Sequence, residues 1–238
     1  MKNILSHKKV LITGANGGLG VAIAKELATL KCHLFLTARN RSSLEQLASD
    51  LHEISPEVEI FSADLTKEIE LKELEKKVRS TFQSIDILIN CAGVFPVASI
   101  SESTLEEFDA CFALNVRAPF FLSKAFLPDM MTRQWGRVVN IGSSSAFSGF
   151  KDTSIYCASK HALLGLSRAL YQEMRDSNVR VISINPGSIK TEMGKKSDDQ
   201  EFSTFLNPED IAKYLAFSIA IDSELIAEEI RLNRFVIR

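Results

Sequence analysis

Several large classes of protein leave marks that this 238-residue chain lacks. Its four cysteines, Cys32, Cys91, Cys111 and Cys157, are scattered with no CxxC spacing, so neither a thiolate zinc site nor a disulfide framework has a scaffold. Small buried hydrophobes are the expected role for these thiols, and no metal site is expected. Neither sign of charge is in excess: 28 Lys and Arg stand against 30 Asp and Glu, a formal net charge of -2. That balance removes the electrostatic reason to bind nucleic acid or an anionic membrane. Basic residues occur within Met1–Lys9, but the apolar run that follows is only Val10–Ile12, far short of a signal-peptide core or a membrane span. A cytoplasmic location is expected. No repeat, low-complexity tract or Pro/Gly/Ser linker divides the chain, so one domain over residues 1–238 is expected, with small molecules or further copies of the chain as partners.

The chain does contain a regular alternation. Aliphatic or β-branched runs at Val10–Thr13, His33–Thr37, Val58–Phe61, Ile85–Asn90, Arg137–Ile141 and Val179–Asn185 read as strands buried on both faces. Between them, Leu19–Leu30, Leu44–Ile54, Leu71–Phe82 and Ala158–Met174 carry apolar residues at helical period. Strand and helix in turn predict an α/β fold with a parallel sheet and right-handed crossovers. Local signals mark helix starts: Ser42 with Glu45 and Thr104 with Glu107 fit capping boxes, and Asn207-Pro208 puts an N-cap before an N1 proline. The longest polar stretch, Gly194–Gln200, is expected to be a loop inside the domain.

The first strand ends in Thr13-Gly14-Ala15-Asn16-Gly17-Gly18-Leu19-Gly20 and runs straight into a helix. Gly14 suits a tight turn, Gly18 a close approach to a pyrophosphate and Gly20 tight packing of helix on sheet, while the helix N-terminus offers N–H groups to an anion. After the second strand comes Ala38-Arg39-Asn40-Arg41, where NAD sites place a carboxylate for the ribose 2′-OH. The guanidinium of Arg39 instead suits a 2′-phosphate, which favours NADP(H) over NAD(H). Tyr156 and Lys160 are four residues apart at the start of a helix, and that spacing puts both on one face. A free phenol titrates about three units above neutral, so acid–base work needs a nearby cation, and Lys160 supplies it. Ser143 follows the strand Arg137–Ile141, at the carboxyl edge where open parallel sheets bind ligands. His161 faces elsewhere on the helix and is expected to be structural.

Together these residues make the chain resemble the short-chain dehydrogenase/reductase family, in its compact-subunit branch, over nearly its whole length, and it is similar to the NADP-dependent carbonyl and 3-oxoacyl reductases. The matching motifs are Thr13-Gly14-x-x-x-Gly18-x-Gly20, Asp64-Leu65, Asn90-Cys91-Ala92-Gly93, Asn115 in Leu114-Asn115-Val116, the Ser143/Tyr156/Lys160 set, and Pro186-Gly187 with Thr191. The resemblance implies a Rossmann-type, doubly wound parallel sheet of about seven strands with helices on both faces. It implies a cofactor site built from Gly14, Asn16, Gly18, Leu19, Gly20, Arg39, Asp64, Leu65, Asn90, Ala92, Gly93, Tyr156, Lys160, Pro186, Gly187 and Thr191. It also implies a catalytic set of Asn115, Ser143, Tyr156 and Lys160: Tyr156 gives a proton to the carbonyl oxygen as hydride arrives, Lys160 holds the nicotinamide ribose, and Asn115 keeps a water that relays protons from Lys160 to solvent.

Some positions depart from the family pattern. Gly17 stands where NADP-preferring relatives often have a basic residue, Cys91 replaces the commoner asparagine, and the Glu228–Arg238 segment, a candidate edge strand, has no Gly-Gly ending. A homodimer through the Phe108–Arg133 and Tyr156–Met174 helices, or a homotetramer, is the expected assembly. Ser188–Leu206 is expected to be a short lid over a small or medium carbonyl or alcohol substrate. Met193, Phe202, Phe205, Leu206, Phe95 and Phe147 either line an apolar pocket there or fill the core. A dinucleotide-sensing binding protein on the same fold is the competing function. An extended-branch epimerase or dehydratase would need more chain after the sixth strand.

Overall fold

A computed structural model describes residues 2–196 and 200–235. The elements run α1 (Lys2–Leu5), β1 (Lys9–Thr13), α2 (Gly18–Thr29), β2 (His33–Ala38), α3 (Arg41–Leu51), β3 (Glu57–Ser62), α4 (Glu68–Phe82) and β4 (Ile87–Asn90). They continue with α5 (Leu105–Phe112), a π-helical turn (Ala113–Arg117), α6 (Ala118–Thr132), β5 (Gly136–Ile141), α7 (Ser154–Met174), β6 (Val179–Pro186), α8 (Pro208–Ala220) and β7 (Glu229–Leu232). All the strands pair parallel in one seven-stranded sheet of order β3-β2-β1-β4-β5-β6-β7. The chain winds outward from β1 through β2 to β3, then returns to lay β4 on the other side of β1. Beyond the carboxyl ends of β1 and β4 the connections diverge, leaving the crevice in which sheets of this topology bind ligands.

Side-chain alternation along the strands divides the core into two layers. Leu11, Phe35, Leu88, Val138 and Val181 lie in register across five strands and pack with Leu71, Leu74, Val78 and Phe82 of α4 and Leu122 and Phe126 of α6. Their neighbours Val10, Ile12, Leu34, Leu36, Ile87, Ile89, Val139 and Ile182 face the opposite way, onto α2, α3 and α8. Both faces are covered, which explains why the strands read as continuous apolar runs. The span Leu105–Thr132 is long and apolar enough to cross a membrane, yet half of its most apolar window is buried in the protein.

Several local expectations are corrected. The Ser42/Glu45 capping box does not form: α3 starts earlier, Asn40 accepts the Ser43 N–H, and Glu45 pairs with Arg41. Asn207 precedes Pro208 at the start of α8 but makes no side-chain cap. The Thr104/Glu107 box forms in full. The helix carrying Tyr156 starts at Ser154, ahead of Ala158, and the expected edge strand narrows to Glu229–Leu232. Residues 236–238 of that segment, and 197–199 of the Gly194–Gln200 loop, lie outside the described residues.

Candidate active site

Backbone sterics shape the first part of the site. Gly14 has φ +64°, and a Cβ there would lie 2.7 Å from the Ala92 Cα; a side chain is excluded twice over, by conformation and by space. A Cβ on Gly18 would lie 2.6 Å from Thr191 Cγ2, and one on Gly20 would strike the Gly14 carbonyl. The Gly14 turn is bolted to β4 through Thr13, whose hydroxyl accepts the N–H groups of Cys91 and Ala92, both at 3.0 Å. The N-cap of the 12-residue helix α2 is Gly17, which offers no side-chain cap. Its first-turn N–H groups are therefore uncapped among the described residues, with the positive end of the helix dipole behind them. Such a cradle fits a dinucleotide pyrophosphate.

Beside this turn, Asn16 donates to the Ser43 hydroxyl at 2.8 Å, joining the glycine turn to the start of α3. Exposed Arg39, just after β2, is close enough to Asp64 to favour its carboxylate. Asp64 itself accepts the N–H and hydroxyl of Thr66, which hold its carboxyl below the usual range against burial. Leu19 and Leu65 are buried in the two core layers, so only their main chain is available to a cofactor. Asn90 donates to Asn140 at 2.8 Å, and Asn140 donates to Ser167 at 2.9 Å, a buried polar ladder from β4 through β5 to α7. The Asn90 Oδ1 and Thr37 Oγ1 atoms, at or near the carboxyl ends of β4 and β2, have no partner among the described residues. Pro186 and Gly187 end β6, and Gly187 donates to the Leu232 carbonyl.

The catalytic candidates converge at the carboxyl ends of β4 and β5. The Lys160 ammonium is buried, donates to the Ile141 carbonyl at 2.8 Å, and lies 5.6 Å from the Tyr156 ring centre. Ser143 lies near the Tyr156 phenol, whose ionised form it favours, and accepts the Ser145 N–H at 3.1 Å. Asn115 is fully buried on the π-helical turn, a distortion that recurs at functional sites. Its carboxamide donates to the Val94 carbonyl and the Ser159 hydroxyl, both at 3.0 Å, and accepts the Val94 N–H at 2.9 Å. A Cβ on Gly93 would lie 3.3 Å from Asn115 Oδ1 and 3.8 Å from the Lys160 ammonium, so a larger residue there would press on Asn115. Phe95 packs edge-on against Tyr156, ring centres 4.6 Å apart.

Burial sets the electrostatics. Desolvation brings Lys160 down to about 8, near enough to neutrality for proton exchange. The same cause pushes the Tyr156 phenol up to about 12, outweighing the opposing Ser143 hydrogen bond. The expectation that Lys160 makes the tyrosine acidic is not met in the protein alone, where desolvation is the largest influence on the phenol and Ser143 is the one that opposes it. Burial also lifts Cys91 and Cys32 to about 12, so both are inert thiols, as the small-hydrophobe reading expects. His161 bonds the carbonyl of Cys157, one helical turn back.

Three participants escaped sequence reasoning. Ser159 accepts from Asn115 and donates to the Tyr156 carbonyl, and its position inside the Tyr156–Lys160 quintet is the signal that could have found it. Ser43 and Asn140 had no motif to mark them. Among the apolar residues named for the lid and mouth, Phe205 and Leu206 turn inward, the first buried and the second against the core. Phe95 stays at Tyr156, while Met193 and Phe202 are exposed.

A Rossmann-type crevice with a glycine turn, an uncapped helix start and a Tyr/Lys pair beside it defines an oxidoreductase of the dinucleotide-binding class. The sequence model of the short chain dehydrogenase family matches residues 8–201, and the chain belongs to that family as an NAD(P)-dependent enzyme. An uncharacterized oxidoreductase of Staphylococcus saprophyticus is 32% identical over 96% of this chain and 98% of its own. Among solved structures, a metagenomic short-chain oxidoreductase in complex with NADP is 27% identical, with TM-score 0.85 over 98% of this chain and 99% of its own. An alcohol dehydrogenase from the archaeon Thermococcus sibiricus, complexed with 5-hydroxy-NADP, is 26% identical with TM-score 0.88 over the same shares of the two chains.

Proposed function

We propose that this chain transfers hydride between NADP(H) and a small or medium carbonyl or alcohol, with Tyr156 as general acid and base. The observation that carries the reading is the meeting of Tyr156, Ser143 and buried Lys160 beside Gly93. The nicotinamide ring, when bound, donates or accepts the hydride at the substrate carbon. Gly14, Gly18, Gly20 and the first N–H groups of α2, including that of Leu19, hold the pyrophosphate. Arg39, with Asn16 and Ser43 alongside, takes the 2′-phosphate. The Asp64 and Leu65 main chain borders the adenine, Asn90, Ala92 and Gly93 line the ribose side, and Pro186, Gly187 and Thr191 meet the nicotinamide end. Lys160, which meets the Ile141 carbonyl here, would hold the nicotinamide ribose.

The Ser143 hydroxyl donates to the substrate carbonyl oxygen, and Tyr156 delivers its proton there as charge develops. In the protein alone desolvation keeps the Tyr156 phenol protonated at neutral pH. Asn115 acts first as a positioning residue, since its carboxamide is committed to Val94 and Ser159; its spare acceptor is what remains for a relay water. Ser188–Leu206 acts as the lid. A homodimer is proposed across α5, α6 and α7, where Phe112, Phe120 and Leu166 line an open groove of about 800 Å³. The test is parallel titration with NADPH and NADH, then a panel of ketones, aldehydes and alcohols followed at the nicotinamide absorbance. Tyr156→Phe is expected to bind NADPH normally and lose at least about a thousandfold in turnover; activity retained in that variant refutes the assignment.

A further inference from the structure

The lid is tied to the C-terminal end of the chain by an arginine that neither the glycine turn nor the catalytic cluster uses. The neck of the lid closes on itself: Lys190 N–H donates to the Leu206 carbonyl and Leu206 N–H to the Ser188 carbonyl, both at 2.9 Å. Inside that neck, the Ser188 hydroxyl donates to Gln200 Oε1 at 2.9 Å. Arg234, two residues past β7, spreads its guanidinium across the returning half. One Nη donates to the same Gln200 Oε1 at 2.7 Å and the other to the Thr204 hydroxyl at 2.8 Å. Its carbon lies 5.4 Å from the centre of the buried Phe205 ring. A planar fork can meet both acceptors at once, which a lysine ammonium on a single flexible stem cannot do in the same geometry.

The same arm reaches the opposite wall of the mouth. Arg231 lies over Phe147, guanidinium carbon 3.4 Å from the ring centre, and Phe147 sits four residues after Ser143. Between the two arginines, the Leu232 carbonyl accepts the Gly187 N–H at 2.8 Å, fixing the arm beside the end of β6. The outgoing half of the lid is held differently. Thr191 rests on Gly18, and the Lys196 ammonium reaches the Phe95 carbonyl at 3.4 Å, with Phe95 packed on Tyr156. The returning half is thus anchored to the C-terminal arm, and the outgoing half spans from the glycine turn toward the tyrosine.

We infer that the C-terminal arm latches the substrate lid, with Arg234 as a positioning residue that sets carbonyl-substrate affinity without touching substrate or cofactor. The inference rests on the oxidoreductase reading above. A pre-set lid costs less order to close over a substrate than a loose one, so loss of the latch appears in substrate KM before kcat. Cofactor binding, which depends on the glycine turn and Arg39, stays put.

The test is Arg234→Ala and Arg234→Lys in the full-length enzyme, read by steady-state kinetics, NADPH titration and hydrogen exchange of the lid amides without substrate. Arg234→Ala is expected to raise carbonyl KM about three- to thirtyfold, with kcat and NADPH affinity within about twofold of wild type and faster exchange over residues 200–206. Arg234→Lys is expected to recover less than half of the effect, and Thr204→Val added to Arg234→Ala to bring little further change. Unchanged KM and unchanged lid exchange would overturn the latch, as would a uniform fall in kcat, cofactor affinity and melting temperature. If the wild type binds NADPH but reduces nothing, the oxidoreductase reading fails; exchange in the lid then decides the latch separately.

Discussion

Asn115 and Val94 hold each other by a reciprocal pair of hydrogen bonds: the Val94 N–H donates to the Asn115 carboxamide oxygen at 2.9 Å, and the Asn115 amide donates to the Val94 carbonyl at 3.0 Å. One side chain thereby satisfies both polar groups of a loop residue that has no strand neighbour. The bonds fix Gly93 next to Lys160 and anchor the π-helical turn to the end of β4.

Replacing Asn115 with leucine keeps the volume and leaves the Val94 N–H and carbonyl unpaired. Each buried orphan costs about 1–3 kcal/mol, and for a chain of this size each kcal/mol lowers Tm by about 2–4 °C. Asn115→Leu is therefore expected to melt about 5–15 °C lower and to lose at least about tenfold in kcat/KM as Gly93 moves. Asn115→Asp, which can still accept from Val94, should fall between. Circular-dichroism melts of the three proteins decide it; equal Tm values for wild type and Asn115→Leu would refute the pairing.

Lys160 ties stability to pH in a direction that can be worked out. Its folded value of about 8 lies below its ordinary 10.5, so between these values the unfolded chain binds more protons than the folded one and stability rises with pH. Below about 8 both states are charged and the cost of burying the ammonium is felt in full. Cys91, lifted by burial from 9.0 to about 12 with Lys160 as the opposing charge, works in the opposite sense above pH 9, and removing the lysine strengthens that loss in the variant. Lys160→Met is expected to be more stable than wild type at pH 7, by on the order of 2 kcal/mol, with the gap closing by pH 10. Urea midpoints measured across that range provide the check, and a gap that widened with pH would contradict the assignment.

Fold and site differed in how far local sequence revealed them. The strands were readable because both faces of the sheet are covered, so the central positions of β1, β2, β4, β5 and β6 are mostly apolar. The glycine turn was readable because backbone approach between Gly14 and Ala92 admits no other residue. The π-helical turn at Ala113–Arg117 left no trace, since its residues suit an ordinary helix and its pairing with Val94 is a tertiary contact. Ser42 was mistaken for a cap because Asn40, two residues earlier, satisfies the same need. Charge alone gave the wrong direction for Tyr156, because spacing reveals a neighbouring lysine but not how far the phenol is desolvated by its surroundings. Aromatic composition could not separate Phe205, which packs under Arg234, from Phe95, which meets Tyr156.

Arg137 is the largest fully buried side chain, and its partners lie at the far end of α8. It donates to the carbonyls of Ile219 at 3.2 Å and Ile221 at 3.3 Å and pairs with Asp222 at 2.5 Å. A cation there also opposes the negative end of the helix. Arg137→Leu leaves those carbonyls without a donor and is expected to cost about 3 kcal/mol, a Tm lower by about 6–12 °C. Asp222→Ala should cost less, since Asp222 is 36% exposed and water can replace it. Differential scanning calorimetry separates the two, and a larger loss for Asp222→Ala would reverse the ranking argued here.

Cofactor choice rests on Arg39, which is exposed beyond β2 with Asp64 as a charged neighbour and stands four residues before Ser43, the partner of Asn16. A 2′-phosphate would gain a charge-assisted contact from the guanidinium, whereas a 2′-hydroxyl would gain little. Arg39→Ala is expected to weaken NADPH binding at least about tenfold, the loss of one such bond of about 1.5–3 kcal/mol, and to leave NADH within about twofold. Arg39→Asp goes further, because a carboxylate repels the phosphate and can accept from the free ribose hydroxyl, so it is expected to prefer NADH. Fluorescence titration with each reduced cofactor gives both affinities. Parallel losses for NADPH and NADH would show that Arg39 acts on the shape of the β2–α3 turn and not on the phosphate.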